Sequence, residues 1–251
     1  MAMMEDILAL FKEGEIRVDE AQERILQLFY DQGENFMLDL SRQERLGFPE
    51  VVYAGGKDEQ DLIKISRGML SKNGMVFISS LDAAKEDILR TQFQDLTIEK
   101  QGRIMVIGGQ CDDPGKKGIC GVITAGTSDI SYAKECELIL THLGVEIISS
   151  YDVGVAGIHR PFFSLKQVRS AEVLIILAGM EGMLPTLMAS LTDKPVIAVP
   201  TPVGYGIGRN GTGALMTMLQ SCVPGVVVVN IGNTVGAAAA ALRVLQAIRK
   251  E

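Results

Sequence analysis

Glu181 stands in Gly179-Met180-Glu181-Gly182, one carboxylate between two glycines at the end of a strongly apolar run. Glycines there let backbone approach a ligand closely, and the carboxylate suits a general base. An exposed Glu favoured by a helix N-terminus would read the same way. Gly126-Thr127-Ser128-Asp129 joins a small turn and two hydroxyls to the start of a helix, whose N–H groups can hold a phosphate. A plain N-cap uses the same residue types. Tyr151 to Pro161 carries Asp152, Gly154, Gly157, His159 and Arg160, so an imidazole or a guanidinium can meet an anion at a loop-to-helix junction. An ordinary loop is the alternative.

Four more places hold reactive or polar groups. The Gly-rich stretch from Pro200 to Gly213, with Gly204, Tyr205, Gly206, Arg209 and Asn210, reads as a phosphate cradle or a lid. Asn230 and Asn233 flank Gly232 where an open parallel sheet binds ligands, although an Asx turn accounts for them nearly as well. Cys222, in Gln220-Ser221-Cys222-Val223-Pro224, closes a helix. A free cysteine is more often an inert apolar residue than a nucleophile, and a helix C-terminus does not stabilise a thiolate. Nearer the N-terminus, Arg42 and Arg45 are three apart on a predicted helix, followed by Gly47, Glu50 and Lys57. Paired guanidiniums suit a diphosphate, and local pairing with Asp39 or Glu50 is the other reading.

These residues need elements to position them. Met4 to Phe11 and Val18 to Tyr30 show apolar residues three and four apart, separated by Gly14, and predict a helical hairpin. A charged helix then leads into a short strand ending at Tyr53 and a Gly55-Gly56 turn. Asp58 to Glu99 reads as helix, strand (Met75 to Ser79), helix and polar strand. From Arg103 onward, short β-branched runs (Val122 to Ala125, Val145 to Ile148, Val173 to Leu177, Val196 to Val199, Val226 to Val229) alternate with amphipathic segments. Near-continuously apolar strands between helices predict a parallel sheet covered on both faces, doubly wound and flavodoxin-like. His142 is read as a surface residue of one such helix, and Val235 to Lys250 as a closing helix whose Ala237 to Ala241 run could admit a neighbouring element. The expected division is a small N-terminal α/β domain with a helical hairpin over residues 1–100, a connecting segment over 101–118 that includes Cys111 to Lys117, and a flavodoxin-like domain over 119–251.

Charge supports the division and excludes some partners. Residues 1–100 hold 12 Lys and Arg against 20 Asp and Glu, and the remainder 12 against 11, giving −7 for all 251 residues. Such a field does not attract nucleic acid or an anionic membrane surface. The apolar runs Val173 to Met180 and Val235 to Ile248 fall short of the roughly 20 residues of a spanning helix, and no basic segment precedes an early apolar run as in a secretory signal. A cytoplasmic protein is expected. Four cysteines without a Cys-x-x-Cys pair suggest neither a disulfide framework nor a zinc site.

The order Gly126-Thr127-Ser128-Asp129, His159-Arg160-Pro161, Leu184-Pro185, Val-rich strand and Ala-rich helix resembles the enzymes that carboxylate 5-aminoimidazole ribonucleotide in purine synthesis, over about residues 119–250. A closer resemblance is to the LarB family, the pyridinium-3,5-biscarboxylic acid mononucleotide synthases that begin nickel-pincer cofactor assembly. It adds Leu38-Asp39, Arg42, Arg45, Gly47 to Tyr53 and Lys57, and further on Ala178 to Gly182, Val203 to Gly206 and Ser221-Cys222. The purine enzymes lack that N-terminal block, and they carry a histidine and no acid in the segment matching Met180 to Pro185.

The LarB resemblance implies carboxylation of nicotinic acid adenine dinucleotide by CO2 or bicarbonate, with hydrolysis of its phosphoanhydride. Cys222 matches the family's nucleophile, and Glu181 is expected either to remove the ring proton or to activate the thiol. Thr127, Ser128, Asp129, His159, Arg160, Gly179, Met180, Gly182, Gly204, Tyr205, Gly206, Asn230 and Asn233 are expected to hold the substrate, with Arg42, Arg45 and Lys57 meeting its phosphates or adenylate. No tightly bound cofactor is implied, magnesium is compatible with the resemblance, and the need for a metal is left open. The resemblance also implies a closed homo-oligomer, an octamer. The alternatives are a 5-aminoimidazole ribonucleotide carboxylase or mutase, and a non-enzymatic nucleotide-binding module, which gives Cys222 and Glu181 no task.

Overall fold

Two compact units divide the chain, residues 1–99 with 105–109 and residues 100–104 with 110–251. The computed structural model describes residues 2–32, 37–39, 41–109 and 117–249. Cys111 and most of the Cys111 to Lys117 segment, read above as a connection, lie outside the described residues.

In the first unit, α1 (Ala2–Lys12) and α2 (Val18–Phe29) form the helical hairpin, turning at Gly14 with φ 77°. A short antiparallel pair follows, β1 (Tyr30–Gln32) with β2 (Met37–Asp39), and then α3 (Arg42–Leu46). The sheet of this unit takes the order β3-β4-β6-β5, from β3 (Val51–Tyr53), β4 (Met75–Ser79), β5 (Ile98–Gln101) and β6 (Ile104–Gly108). β3 and β4 are parallel, joined through α4 (Glu59–Asn73), and α5 (Ala83–Gln92) follows β4. Asp58 caps α4 by accepting the Gln60 N–H at 2.8 Å, and Gly74 ends it with φ 70°. Leu62, Met69, Ile78, Leu89, Met105 and Ile107 fill the core between helices and sheet. Ile104-Met105-Val106-Ile107, within the segment read as a connection, is a fully buried strand of this sheet.

The second unit alternates strand and helix throughout. Its elements are β7 (Ile119–Thr124), α6 (Ile130–His142), β8 (Glu146–Ser150), α7 (His159–Gln167), β9 (Val173–Ala178), α8 (Leu184–Ala189), β10 (Val196–Pro200), α9 (Thr212–Leu219), β11 (Val226–Val228) and α10 (Thr234–Ile248). The strands lie in the order β8-β7-β9-β10-β11, every pair parallel, which is the flavodoxin-like winding. β9 and β10 are buried at every residue, as central strands covered on both faces must be.

Two surface readings are corrected here. His142 is buried, because α6 packs against both β7 and α10, and its Nδ1 lies 2.9 Å from the Leu138 carbonyl one turn back. Ala237, Ala238 and Ala241 are fully buried as well. Their small side chains let α10 approach α6 and the sheet within the unit, so they offer no surface to a neighbour.

Candidate active site

Winding reverses at β7, whose chain neighbour β8 lies on one side while β9 lies on the other. Strand-end loops diverge at such a point and leave a crevice. Here the loops after β7, β8, β9 and β10 surround an open cavity of about 440 Å³. Thr127, Ser128, Asp129, Arg160, Gly179, Met180 and Glu181 all line it.

Asp129 organises these loops. Its carboxylate accepts the Gly126 N–H at 2.9 Å and the Thr201 hydroxyl at 2.6 Å, and the Gly179 backbone also bonds to it. The residue is 2% exposed, and burial pushes its carboxyl above the usual range against the pull of these donors. Three loops, after β7, β9 and β10, therefore meet on one carboxylate. Its oxygens are engaged by the protein, which makes Asp129 a support of the cavity wall, while exposed Thr127 and Ser128 present the hydroxyls.

The loop after β8 is held as firmly. Glu137 on α6 accepts hydrogen bonds from the Ser149 hydroxyl at 2.7 Å, the Lys134 ammonium at 2.7 Å and the Tyr151 phenol. Burial pushes the Tyr151 phenol up, and the Glu137 partner raises the Lys134 ammonium. Asp152 follows in the left-handed region with φ 56°, its N–H donating to the Thr124 hydroxyl at 3.2 Å. Arg160 reaches back to the Asp152 carbonyl at 2.9 Å and lies 3.4 Å from its carboxylate. That use of one nitrogen fixes the guanidinium at the cavity wall, with further donors on its fork.

Glu181 is exposed on the loop after β9. Met180 before it has φ 52° and Gly182 after it φ 67°, so the backbone turns twice through the left-handed region to carry the carboxylate. A Cβ on Gly182 would sit 2.7 Å from Ala214 Cα, which explains that glycine as a packing requirement rather than a ligand contact.

Other expected residues fall outside this cavity's lining. His159 is exposed at the first turn of α7, and Gly204, Tyr205 and Gly206 lie on the exposed segment between β10 and α9. Asn233 caps α10 by accepting the Gly236 N–H at 2.8 Å, and the Asn230 side chain accepts the N–H of Ile231, so both take the turn-and-cap reading. Cys222 is exposed on the α9–β11 connection, beside Ser221, whose hydroxyl accepts from Thr186 at 3.0 Å. It does not line the cavity that Glu181 lines. Cys120 and Cys136 are buried, and burial pushes the Cys120 thiol up to about 12.

Arg42, Arg45 and Lys57 belong to the first unit. There the local alternative is realised: Asp39 accepts from Arg42 Nε at 3.2 Å and from Arg45 Nη2 at 2.6 Å, and these guanidiniums, Arg45 foremost, hold its carboxyl below the usual range. Glu50 accepts the Asp39 N–H at 3.1 Å.

Sequence reasoning singled out neither Thr201, the buried anchor, nor Val155, and it named Met183, Leu184 and Val203 only within motifs, without a place in the cavity's apolar lining. Position just beyond β8, β9 and β10 was the signal available for them. Among the described residues no group of three or more His, Cys, Asp or Glu side chains is placed to hold a metal ion. The cavity lining as built does not form an ion cage.

Residues 119–251 match the AIR carboxylase family model, and residues 30–109 match the LarB/PurE-like N-terminal domain. An uncharacterized protein of Methanocaldococcus jannaschii is 42% identical over 242 residues, 93% of each chain. N5-carboxyaminoimidazole ribonucleotide mutases of M. jannaschii and Saccharolobus solfataricus are each 36% identical. They span 49% and 52% of this chain, and 74% and 82% of their own.

Proposed function

The chain belongs to the AIR carboxylase family, in the architecture that carries a LarB/PurE-like N-terminal domain, and from that premise we propose that it carboxylates nicotinic acid adenine dinucleotide. The products are pyridinium-3,5-biscarboxylic acid mononucleotide and AMP, as the first step of nickel-pincer cofactor synthesis. The observation that carries this reading is Glu181, a carboxylate on a doubly left-handed turn, lining one cavity with the Thr127-Ser128 hydroxyls and Arg160.

A pyridinium ring is electron-poor and does not attack CO2. Addition of a thiolate at ring carbon 4 sends an electron pair to the ring nitrogen and leaves carbon 5 as an enamine-type nucleophile. Carbon 5 then bonds to the carbon of CO2. Glu181 takes the proton from carbon 5, the pair re-forms the aromatic ring, and the carbon–sulfur bond breaks to return the thiolate. Water attacks one phosphorus of the phosphoanhydride, the bridging phosphorus–oxygen bond breaks with its electron pair going to the departing phosphate, and AMP is released. Thr127, Ser128 and Arg160 hold phosphate and carboxylate oxygens through these steps.

Cys222 is the thiol of this reading. Since it does not line the cavity within its own chain, the reading takes it from a second copy, as an octamer would allow. The N-terminal unit separates this reading from a purine-type mutase, whose named examples match about half of the chain. The test follows AMP release from nicotinic acid adenine dinucleotide, with and without bicarbonate, beside turnover of 5-aminoimidazole ribonucleotide. Bicarbonate-dependent AMP release supports the proposal, and turnover of the imidazole nucleotide alone replaces it with the mutase reading.

A further inference from the structure

Met180 is a large apolar residue in a backbone conformation that favours glycine. Its φ is 52°, it is 41% exposed, and it lines the cavity. A side chain in this region brings Cβ against its own backbone, so the conformation persists only where the surroundings impose it. The surroundings here are close-fitting. The Met180 N–H donates to the Val203 carbonyl at 2.8 Å. A Cβ on Gly179 would lie 2.3 Å from that same carbonyl oxygen, and one on Gly213 would lie 3.3 Å from the Met180 carbonyl oxygen. The side chain has its own berth, since Met180 Sδ lies 3.7 Å from where a Cβ on Gly204 would stand.

Glycine would meet the backbone requirement without strain, so the turn alone does not account for a thioether. The cavity lining around it is mixed. It includes the apolar side chains of Met183, Leu184, Val203 and Ala178 together with Thr127, Ser128 and Arg160. A ligand suited to both kinds of lining has an anionic, hydroxylated part and a flat apolar part. Sulfur gains from contact with an aromatic ring, and its polarizability suits an electron-poor one.

We infer that Met180 is a specificity-determining residue that seats the planar heteroaromatic ring of a ribonucleotide against the apolar lining. This rests on reading the cavity as a ribonucleotide site, and it deepens that reading by assigning the ring its contact. The ring is held by the thioether, while the hydroxyls and Arg160 hold the phosphoribosyl part.

The experiment titrates the full chain and its Met180→Gly and Met180→Leu variants by calorimetry with three probes: nicotinic acid adenine dinucleotide, 5-aminoimidazole ribonucleotide, and ribose 5-phosphate, which has no ring. Met180→Gly is expected to weaken binding of the ring-bearing nucleotide that the wild type prefers by about tenfold, the worth of one apolar side-chain contact with an aromatic. Ribose 5-phosphate affinity is expected to stay within about twofold, and Met180→Leu to recover most of the loss by restoring apolar volume. The melting temperature of Met180→Gly should not fall, because glycine takes this φ freely. Unchanged ring-nucleotide affinity in Met180→Gly would overturn the inference and leave the proposed substrate standing. A wild type that prefers the imidazole nucleotide, with the Met180→Gly loss intact, would overturn the proposed substrate and support the inference. Equal affinity of the wild type for ring-bearing and ring-free probes would overturn both.

Discussion

The Thr201 hydroxyl donates to Asp129 Oδ1 at 2.6 Å, with both side chains buried. This bond ties the end of β10 to the start of α6 behind residues that line the cavity. Thr201→Val keeps the shape and leaves a buried carboxylate oxygen without its donor, which costs about 1–3 kcal/mol. Burial already places the Asp129 carboxyl above its ordinary value of 3.8. Its stability contribution is therefore fully present below 3.8 and is lost as pH rises through the folded value. Removing the Thr201 donor raises that value further, so the deficit of Thr201→Val should widen from acid to neutral pH. Urea unfolding across that range checks it, and a deficit independent of pH would contradict the ionised Asp129.

Glu181→Gln keeps the shape of the side chain and removes the base. Turnover is expected to fall by about 10²- to 10⁴-fold, with substrate affinity little changed. A fall of less than about threefold would return Glu181 to a carboxylate that merely favours a helix N-terminus.

Cys222 and Glu181 offer a test of where the thiol comes from. Cys222→Ala is expected to be inactive alone, and Glu181→Gln to keep at most about one hundredth of wild-type turnover. Mixed after reversible dissociation, they should regain measurable turnover, because some sites then combine an intact Cys222 from one chain with an intact Glu181 from another. No recovery in co-assembled protein would contradict a thiol supplied by a second copy.

The alternation from Val122 onward made the second sheet legible, since parallel strands buried on both faces must read as short apolar runs. The loops after β7, β8 and β9 were legible too, because the winding places every such loop at one edge. Side-chain partnership was not. Asp129 and Thr201 are 72 residues apart, and nothing local to either marks a buried pair. His142 looked solvated because it stands on an amphipathic helix, whereas α10 packs against that helix from a distant part of the chain. Residues 104–108 were absorbed into a connection because a single apolar strand after a polar one carries no period of its own.

In the first unit, Asp39 carries both Arg42 and Arg45. Its lowered carboxyl contributes stability that is present above 3.8 and is lost as pH falls through the folded value. Asp39→Asn should therefore melt lower than wild type at neutral pH, with the two curves converging in acid. Calorimetric melts across that range test this, and parallel curves would mean that the pair contributes nothing, as many exposed ion pairs do.

The central claim is that this chain joins a carboxyl group to a pyridinium ring. Incubating the full chain with nicotinic acid adenine dinucleotide and carbon-13 bicarbonate, then weighing the products by mass spectrometry, tests it most directly. The account predicts a mononucleotide carrying one labelled carboxyl group beyond nicotinic acid mononucleotide, together with an equal amount of AMP. Dinucleotide recovered unchanged, or cleaved without label in the ring-bearing product, would contradict it.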